Sequence, residues 1–117
     1  MAFKFEKLVV WQEAMRLGED MYHLTRKFPK DEMFNLTSQT MRAVDSIGLN
    51  ISEGAMGQTD PENKRFIGYS IRSCAEVISC LYKASARKYI TKEEFDSSYS
   101  KVELLFKRLN KYRSSID

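Results

Sequence analysis

Leu8-Val9-Val10-Trp11-Gln12-Glu13-Ala14-Met15-Arg16-Leu17-Gly18-Glu19-Asp20-Met21-Tyr22-His23-Leu24-Thr25-Arg26-Lys27-Phe28 is the stretch that decides the fold. At about 100° per residue, Leu8, Val10, Trp11, Met15, Leu17, Met21, Tyr22, Leu24 and Phe28 gather on one side of a helix. Gln12, Glu13, Arg16, Glu19, Asp20, His23 and Lys27 take the other side. The apolar arc spans roughly 200°, whereas a helix that faces only its own core needs little more than about 100°. It resolves into two stripes, Trp11, Met15, Gly18 and Tyr22 on one line and Leu17, Met21, Leu24 and Phe28 on the other. One stripe suffices for a core, which leaves the other for a second subunit.

Three more helices follow outward from this one. Pro29 stops the first, since the residue before a proline is pushed out of the α region. The second is expected from about Met33 to Gly54, with Leu36, Ala43, Val44, Ile47 and Ile51 inward and Gly54 and Gly57 as C-terminal stops. Thr59-Asp60-Pro61-Glu62 opens a third, with Thr59 or Asp60 as N-cap and Pro61 in the first turn. It runs to about Lys88 and turns Phe66, Ile67, Ser70, Ile71, Cys74, Val77, Ile78, Leu81, Tyr82 and Ala84 inward. Thr91-Lys92-Glu93-Glu94 is a capping box for the fourth, which presents Phe95, Tyr99, Val102, Leu105, Phe106 and Leu109. The expected helices are thus about 8–28, 33–54, 61–88 and 92–113 of a single domain, 1–117. Their lengths and short connections are the proportions of an all-α, antiparallel up-and-down left-handed four-helix bundle.

Composition agrees with one helical domain. The chain has 117 residues, 43% hydrophobic and 30% charged, with only 2 prolines and 5 glycines, too little punctuation for an all-β fold. No secretory signal is visible, and the run Leu8-Val9-Val10-Trp11 falls far short of a membrane span, so a cytoplasmic protein with no membrane contact is expected. Cys74 and Cys80 lie six positions apart on one helix and cannot pair with each other.

Chemistry is sparse. A carboxylate-bridged metal site in a bundle needs two Glu-x-x-His motifs, and this chain has one histidine. Asp20-x-x-His23 has the spacing but sits on the polar face, where a solvated surface is the simpler reading. Neither cysteine has an activating neighbour in sequence, so no catalytic residue, metal, cofactor or small-molecule substrate is expected. Gly54-Ala55-Met56-Gly57 matches a GxxG clamp only superficially, because that module needs flanking strands.

Two polar arrays remain. Gln39, Arg42, Ser46, Asn50 and Glu53 run along the shoulder of the second helix. They read as a hydrogen-bonded network at a helix or subunit boundary, or alternatively as a recognition strip. Arg65, Tyr69, Arg72, Lys83 and Arg87 share the outer face of the third helix with Glu76. They read as a solvated face or as a footprint for the phosphates of RNA, DNA or a nucleoprotein. The net charge of +3 permits an acidic partner without demanding one.

Several of these stretches also carry a resemblance. Val10-Trp11-Gln12-Glu13-Ala14-Met15, Leu24-Thr25-Arg26-Lys27-Phe28-Pro29, Gln39 with Arg42-Ala43, Ser46-Ile47 and Asn50-Ile51-Ser52-Glu53-Gly54 occur in order. Phe66-Ile67, Ser73 with Glu76, and Lys88-Tyr89-Ile90 complete the series. The chain resembles the bacterial four-helix-bundle proteins encoded in intervening sequences of 23S ribosomal RNA genes. It is more distantly similar to the accessory variability determinant of diversity-generating retroelements, a pentameric bundle that binds nucleic acid and a reverse transcriptase. The resemblance implies a non-enzymatic bundle that assembles as a pentameric ring, with Trp11, Met15 and Tyr22 the residues we expect at the interface between copies.

Overall fold

The computed structural model describes residues 2–57 and 59–117. Four helices, α1 (Val9–Thr25), α2 (Leu36–Ala55), α3 (Asp60–Ala86) and α4 (Lys92–Ser115), pack in chain order into an antiparallel bundle. Each touches its two neighbours, α1 with α4 closing the square, in a body of 43 × 23 × 23 Å. The long dimension is that of α3, whose 27 residues rise about 40 Å. Leu17, Met21, Leu36, Val44, Ile47, Ile51, Ile67, Val77, Leu81, Val102, Leu105 and Leu109 fill the centre. Buried hydroxyls there are satisfied, Ser70 by donating to the Ile47 carbonyl at 2.8 Å and Thr40 to that of Leu36 at 2.7 Å.

The expected boundaries shift for local reasons. α1 ends at Thr25 rather than Phe28, because Lys27 N–H and Phe28 N–H turn back to the carbonyls of Leu24 and Thr25 in a tighter turn. Phe28 nonetheless stays buried, against Tyr89 at 5.6 Å between ring centres. α2 starts at Leu36 rather than Met33, since Lys30–Glu32 form a separate 3-10 turn and the Glu32 carboxylate accepts the Leu36 N–H at 3.3 Å.

The glycine stop for α2 is corrected. No described glycine has a positive φ, and Gly54 lies within the helix, where a Cβ would stand 2.6 Å from Asn63 Oδ1 and 3.0 Å from Phe66 Cβ. Glycine is needed there for the close approach of α2 to α3, not for a left-handed cap. The left-handed cap is found instead at the end of α3, on a residue with a side chain. Lys88 has φ 63°, with Tyr89 N–H bonding the Ala84 carbonyl and Lys88 N–H that of Ser85.

Both N-terminal signals hold. Thr59 accepts the Glu62 N–H at 3.2 Å, and Thr91 and Glu94 cap each other reciprocally at 3.1 and 2.8 Å. Two residues expected inward are not. Tyr82 is 58% and Phe106 41% exposed, because both sit on the α3/α4 shoulder, where the core is already filled by Val77, Leu81, Val102 and Leu105.

The α1/α4 seam is closed by ion pairs. Glu13 meets Arg108, Asp20 meets Lys101 at 3.1 Å, and Lys27 meets Glu94. The three rungs are spaced by seven residues on both helices, running in opposite directions, so they recur about every 10 Å. Seven is the repeat of left-handed supercoiled helix packing. The polar face of α1 is therefore half committed to α4 and not wholly solvated.

Candidate interaction surfaces

The two stripes of α1 part company in the fold. Leu17, Met21, Leu24 and Phe28 are buried, while Met15 stays 48% and Tyr22 42% exposed and Trp11 is half-buried. Trp11 owes its cover to the N-terminal 3-10 turn Lys4–Lys7, which is tied down by Gln12 Nε2 donating to the Glu6 carbonyl at 2.9 Å. That turn sets the Phe5 ring edge-on to Trp11 at 5.1 Å. Between α1 and α2 runs a groove of about 440 Å³ with the small residues Ala14, Gly18 and Gly48 along it, and Met15 and Leu49, 65% exposed, on its walls. Two acids, Glu19 and Asp45, border it. Asp45 Oδ1 leans over Gly18, and its carboxyl is pushed above the usual range, first by burial and then by the charge of Glu19.

The polar row of α2 does not form one network within the chain. Ser46 and Ser73 hydroxyls bond across α2/α3 at 2.6 Å, and Asn50 Nδ2 donates to the Ser46 carbonyl at 2.8 Å. Among the described residues no hydrogen bond or ion pair engages the side chains of Gln39, Arg42 or Glu53, which are exposed. Arg42 and Glu53 cannot reach each other, being eleven residues or about 16 Å apart along the helix. Gln39, Arg42 and Ser46 instead line a polar groove of about 610 Å³ with Glu76, Ser79, Cys80 and Lys83 of α3.

On the outer face of α3, Arg65, Tyr69, Arg72, Lys83 and Arg87 are all exposed as expected. Arg65 lies over the Phe66 ring at 5.6 Å. Arg87 is corrected out of a free phosphate-facing row, because its guanidinium is turned to Glu32 at 3.0 Å. Asp20 is likewise held by Lys101 rather than paired with the exposed His23. Among the described residues no three His, Cys, Asp or Glu side chains gather closely enough to hold a metal ion.

Glu32 is the one carboxylate in the buried set. Tyr89 Oη donates to it at 2.6 Å, Arg87 Nη1 and Asn35 Nδ2 at 3.0 Å each, and Leu36 N–H at 3.3 Å. These bonds, Tyr89 foremost, hold its carboxyl below the ordinary range against the upward push of burial, and the same contact raises Tyr89. The cluster fastens the α1–α2 connection to the end of α3. Burial alone pushes the Cys74 thiol up to about 12.

The sequence pattern of the 23S rRNA-intervening sequence protein family matches residues 6–111. The chain belongs to that family. Its fold is similar to the crystal structure, at 1.70 Å, of a protein with unknown function from the S23 ribosomal protein family from Bacteroides thetaiotaomicron. The TM-score is 0.84 at 20% identity, over 92% of this chain and 100% of that one. No curated protein matches. Among the described residues no helix is long and apolar enough to cross a membrane.

In this member of the intervening-sequence family, two features escaped the reading of the sequence. Glu32 was invisible because its partners Arg87 and Tyr89 lie more than fifty residues away. The α1/α4 rungs had a signal: Glu13, Asp20 and Lys27 recur every seven residues, as do Glu94, Lys101 and Arg108 with the opposite charges in reverse order.

Proposed function

We propose that this member of the 23S rRNA-intervening sequence protein family is a non-enzymatic, cytoplasmic interaction protein that works as a homo-oligomer, five copies being the number its resemblance implies. The observation that carries this reading is the surplus on α1. With the core filled, Met15 remains 48% exposed on the wall of a groove with small residues along it, and Tyr22, 42% exposed, follows two turns further along the same stripe of α1. Scattered apolar residues on a surface are ordinary, whereas a continuous apolar groove marks a surface that another molecule covers. Trp11, Met15 and Tyr22 are its interface residues.

Native mass spectrometry and light scattering test the reading. Met15→Glu charges the groove without touching the core and is expected to give a folded monomer; Trp11→Glu gives monomers or aggregates. Wild-type mass retained in both variants, or a monomeric wild type, refutes the proposal.

A second reading, nucleic-acid binding across the outer face of α3, is favoured by one observation. Arg72 and Lys83 are exposed and, among the described residues, engaged in no ion pair, with Tyr69 on the same face. Repetition of such a face in an oligomer multiplies its avidity. Gel shifts of RNA and DNA at two salt concentrations are expected to show retention that weakens with salt and with Arg72→Ala; retention indifferent to salt, or none at low salt, removes it.

A further inference from the structure

The α3/α4 side of the bundle carries a groove of about 410 Å³ on which neither self-association nor nucleic-acid binding draws. Cys74 and Val102, both buried, form its floor, and Ile78, Tyr99 and Phe106 stand along its walls. Ala75 is small and exposed, which leaves the α3 side low. The aromatic lining continues along the two helices: the Tyr82 ring stands edge-on to Phe95 at 5.0 Å, and Phe95 is tilted against Tyr99 at 5.8 Å.

Besides the Tyr99 hydroxyl, the groove holds two polar groups, the Ser79 hydroxyl on α3 and the Glu103 carboxylate on α4. Both residues are exposed, and among the described residues neither side chain takes part in a hydrogen bond or an ion pair. No lysine or arginine lines this groove. The chain's own cations stand instead in the α2/α3 and α1/α4 grooves, where Arg42 and Lys83 face Glu76, and Arg16 and Lys101 accompany Glu13, Glu19 and Asp20.

An unanswered carboxylate beside aromatic rings selects the charge of what fills the groove. Ring faces carry negative potential and attract a cation, and Glu103 adds a full charge of the same sign. A neutral apolar occupant would strip water from Glu103 and give nothing in return, and an anion would be repelled outright. The volume is that of a small-molecule site, with apolar walls and few polar groups to fix orientation.

We infer that the α3/α4 groove binds a small organic cation, a primary ammonium on a short aromatic or alkyl body. The ammonium donates to the Glu103 carboxylate and to the Ser79 hydroxyl, and the body lies against Ile78, Tyr99 and Phe106. This side of the bundle is opposite the α1/α2 groove, so the site is separate from the surface assigned to self-association.

Calorimetric titration of the protein as it assembles tests the site, with 2-phenylethylammonium as the probe and 2-phenylethanol and 3-phenylpropionate as its neutral and anionic counterparts. The ammonium is expected to bind at least about 10-fold more tightly than the alcohol, and the carboxylate not to bind. Glu103→Gln is expected to bring ammonium and alcohol to within about 3-fold of each other. Ala75→Trp fills the groove from an exposed position and is expected to remove binding of both; should it disturb the helical circular dichroism, Phe106→Ala, which truncates an exposed ring, is expected to weaken both. No binding of the ammonium at millimolar concentration, an alcohol that binds as tightly, a preference that survives Glu103→Gln, or binding indifferent to Ala75→Trp and Phe106→Ala overturns the assignment.

Discussion

Replacing Gly54 and Gly68 by alanine, one at a time, separates close packing from helix propensity, because both lie inside helices and only one has neighbours in the way. Alanine gains about 0.8–1.0 kcal/mol over glycine in a helix interior. At Gly68 a new Cβ meets nothing nearer than Arg113 Nε at 3.9 Å, so that gain is realised nearly in full. Its melting temperature is expected to rise by about 3–6 °C. At Gly54 the same atom would stand 2.6 Å from Asn63 Oδ1, 3.0 Å from Phe66 Cβ and 3.2 Å from the Asn63 carbonyl. The Asn63 amide can rotate away, but the carbonyl and the Phe66 Cβ move only if α3 moves. Overpacking of this kind costs about 1–3 kcal/mol, so a net loss of about 1–2 kcal/mol remains near the end of α2, where the propensity gain is smallest. Urea midpoints at one fixed protein concentration give both values, since association adds to apparent stability. Gly54→Ala as stable as Gly68→Ala would mean that α2 and α3 are not in the close contact described.

Acid titration of stability should carry the mark of Glu32. Its folded pKa is lowered, so its contribution is present above the unfolded carboxylate value of about 4.3 and is lost as pH falls through the lower folded value. Asp45 has the opposite sign, favouring the fold only while protonated and losing that contribution as pH rises through its raised value. Glu32→Gln is therefore expected to flatten the loss of stability below about pH 4; an unchanged acid limb in urea titrations at several pH values contradicts the cluster. Cys74, with its thiol near 12 and buried, should resist alkylation at pH 8 in the folded protein and react on unfolding. Prompt labelling of Cys74 in native protein, read by peptide mass, counts against its place in the core.

How much of this was legible beforehand depends on the range of the interaction. Thr59 and Thr91 were readable as caps because a cap is a contact over three residues. The division of α1 into a core stripe and a surplus stripe was readable because it follows from angle alone. Gly54 was misread for want of a neighbour: a glycine near a helix end looks like a stop, and only the approach of Asn63 and Phe66 reveals its purpose. Tyr82 and Phe106 were placed inward because an apolar residue on the edge of an arc is decided by how much room the opposite helix leaves. Arg87 looked like one more surface cation until Glu32, distant in sequence, claimed it. Of the polar row of α2, only Ser46 and Asn50 share hydrogen bonds within the chain, since helical rise separates what a helical wheel superimposes.

The seam between α1 and α4 has one rung with its charges turned round: the acids of Glu13 and Asp20 are on α1, whereas the third acid, Glu94, is on α4. A slip of seven residues one way would set Asp20 against Glu94, and a slip the other way would set Lys27 against Lys101. Each exposed pair adds less than about 1 kcal/mol, so the ladder contributes little to the depth of the native well. Its effect is on choice among misalignments: of the seven-residue registers open to the first and last helices of the chain, only one sets no like charges face to face.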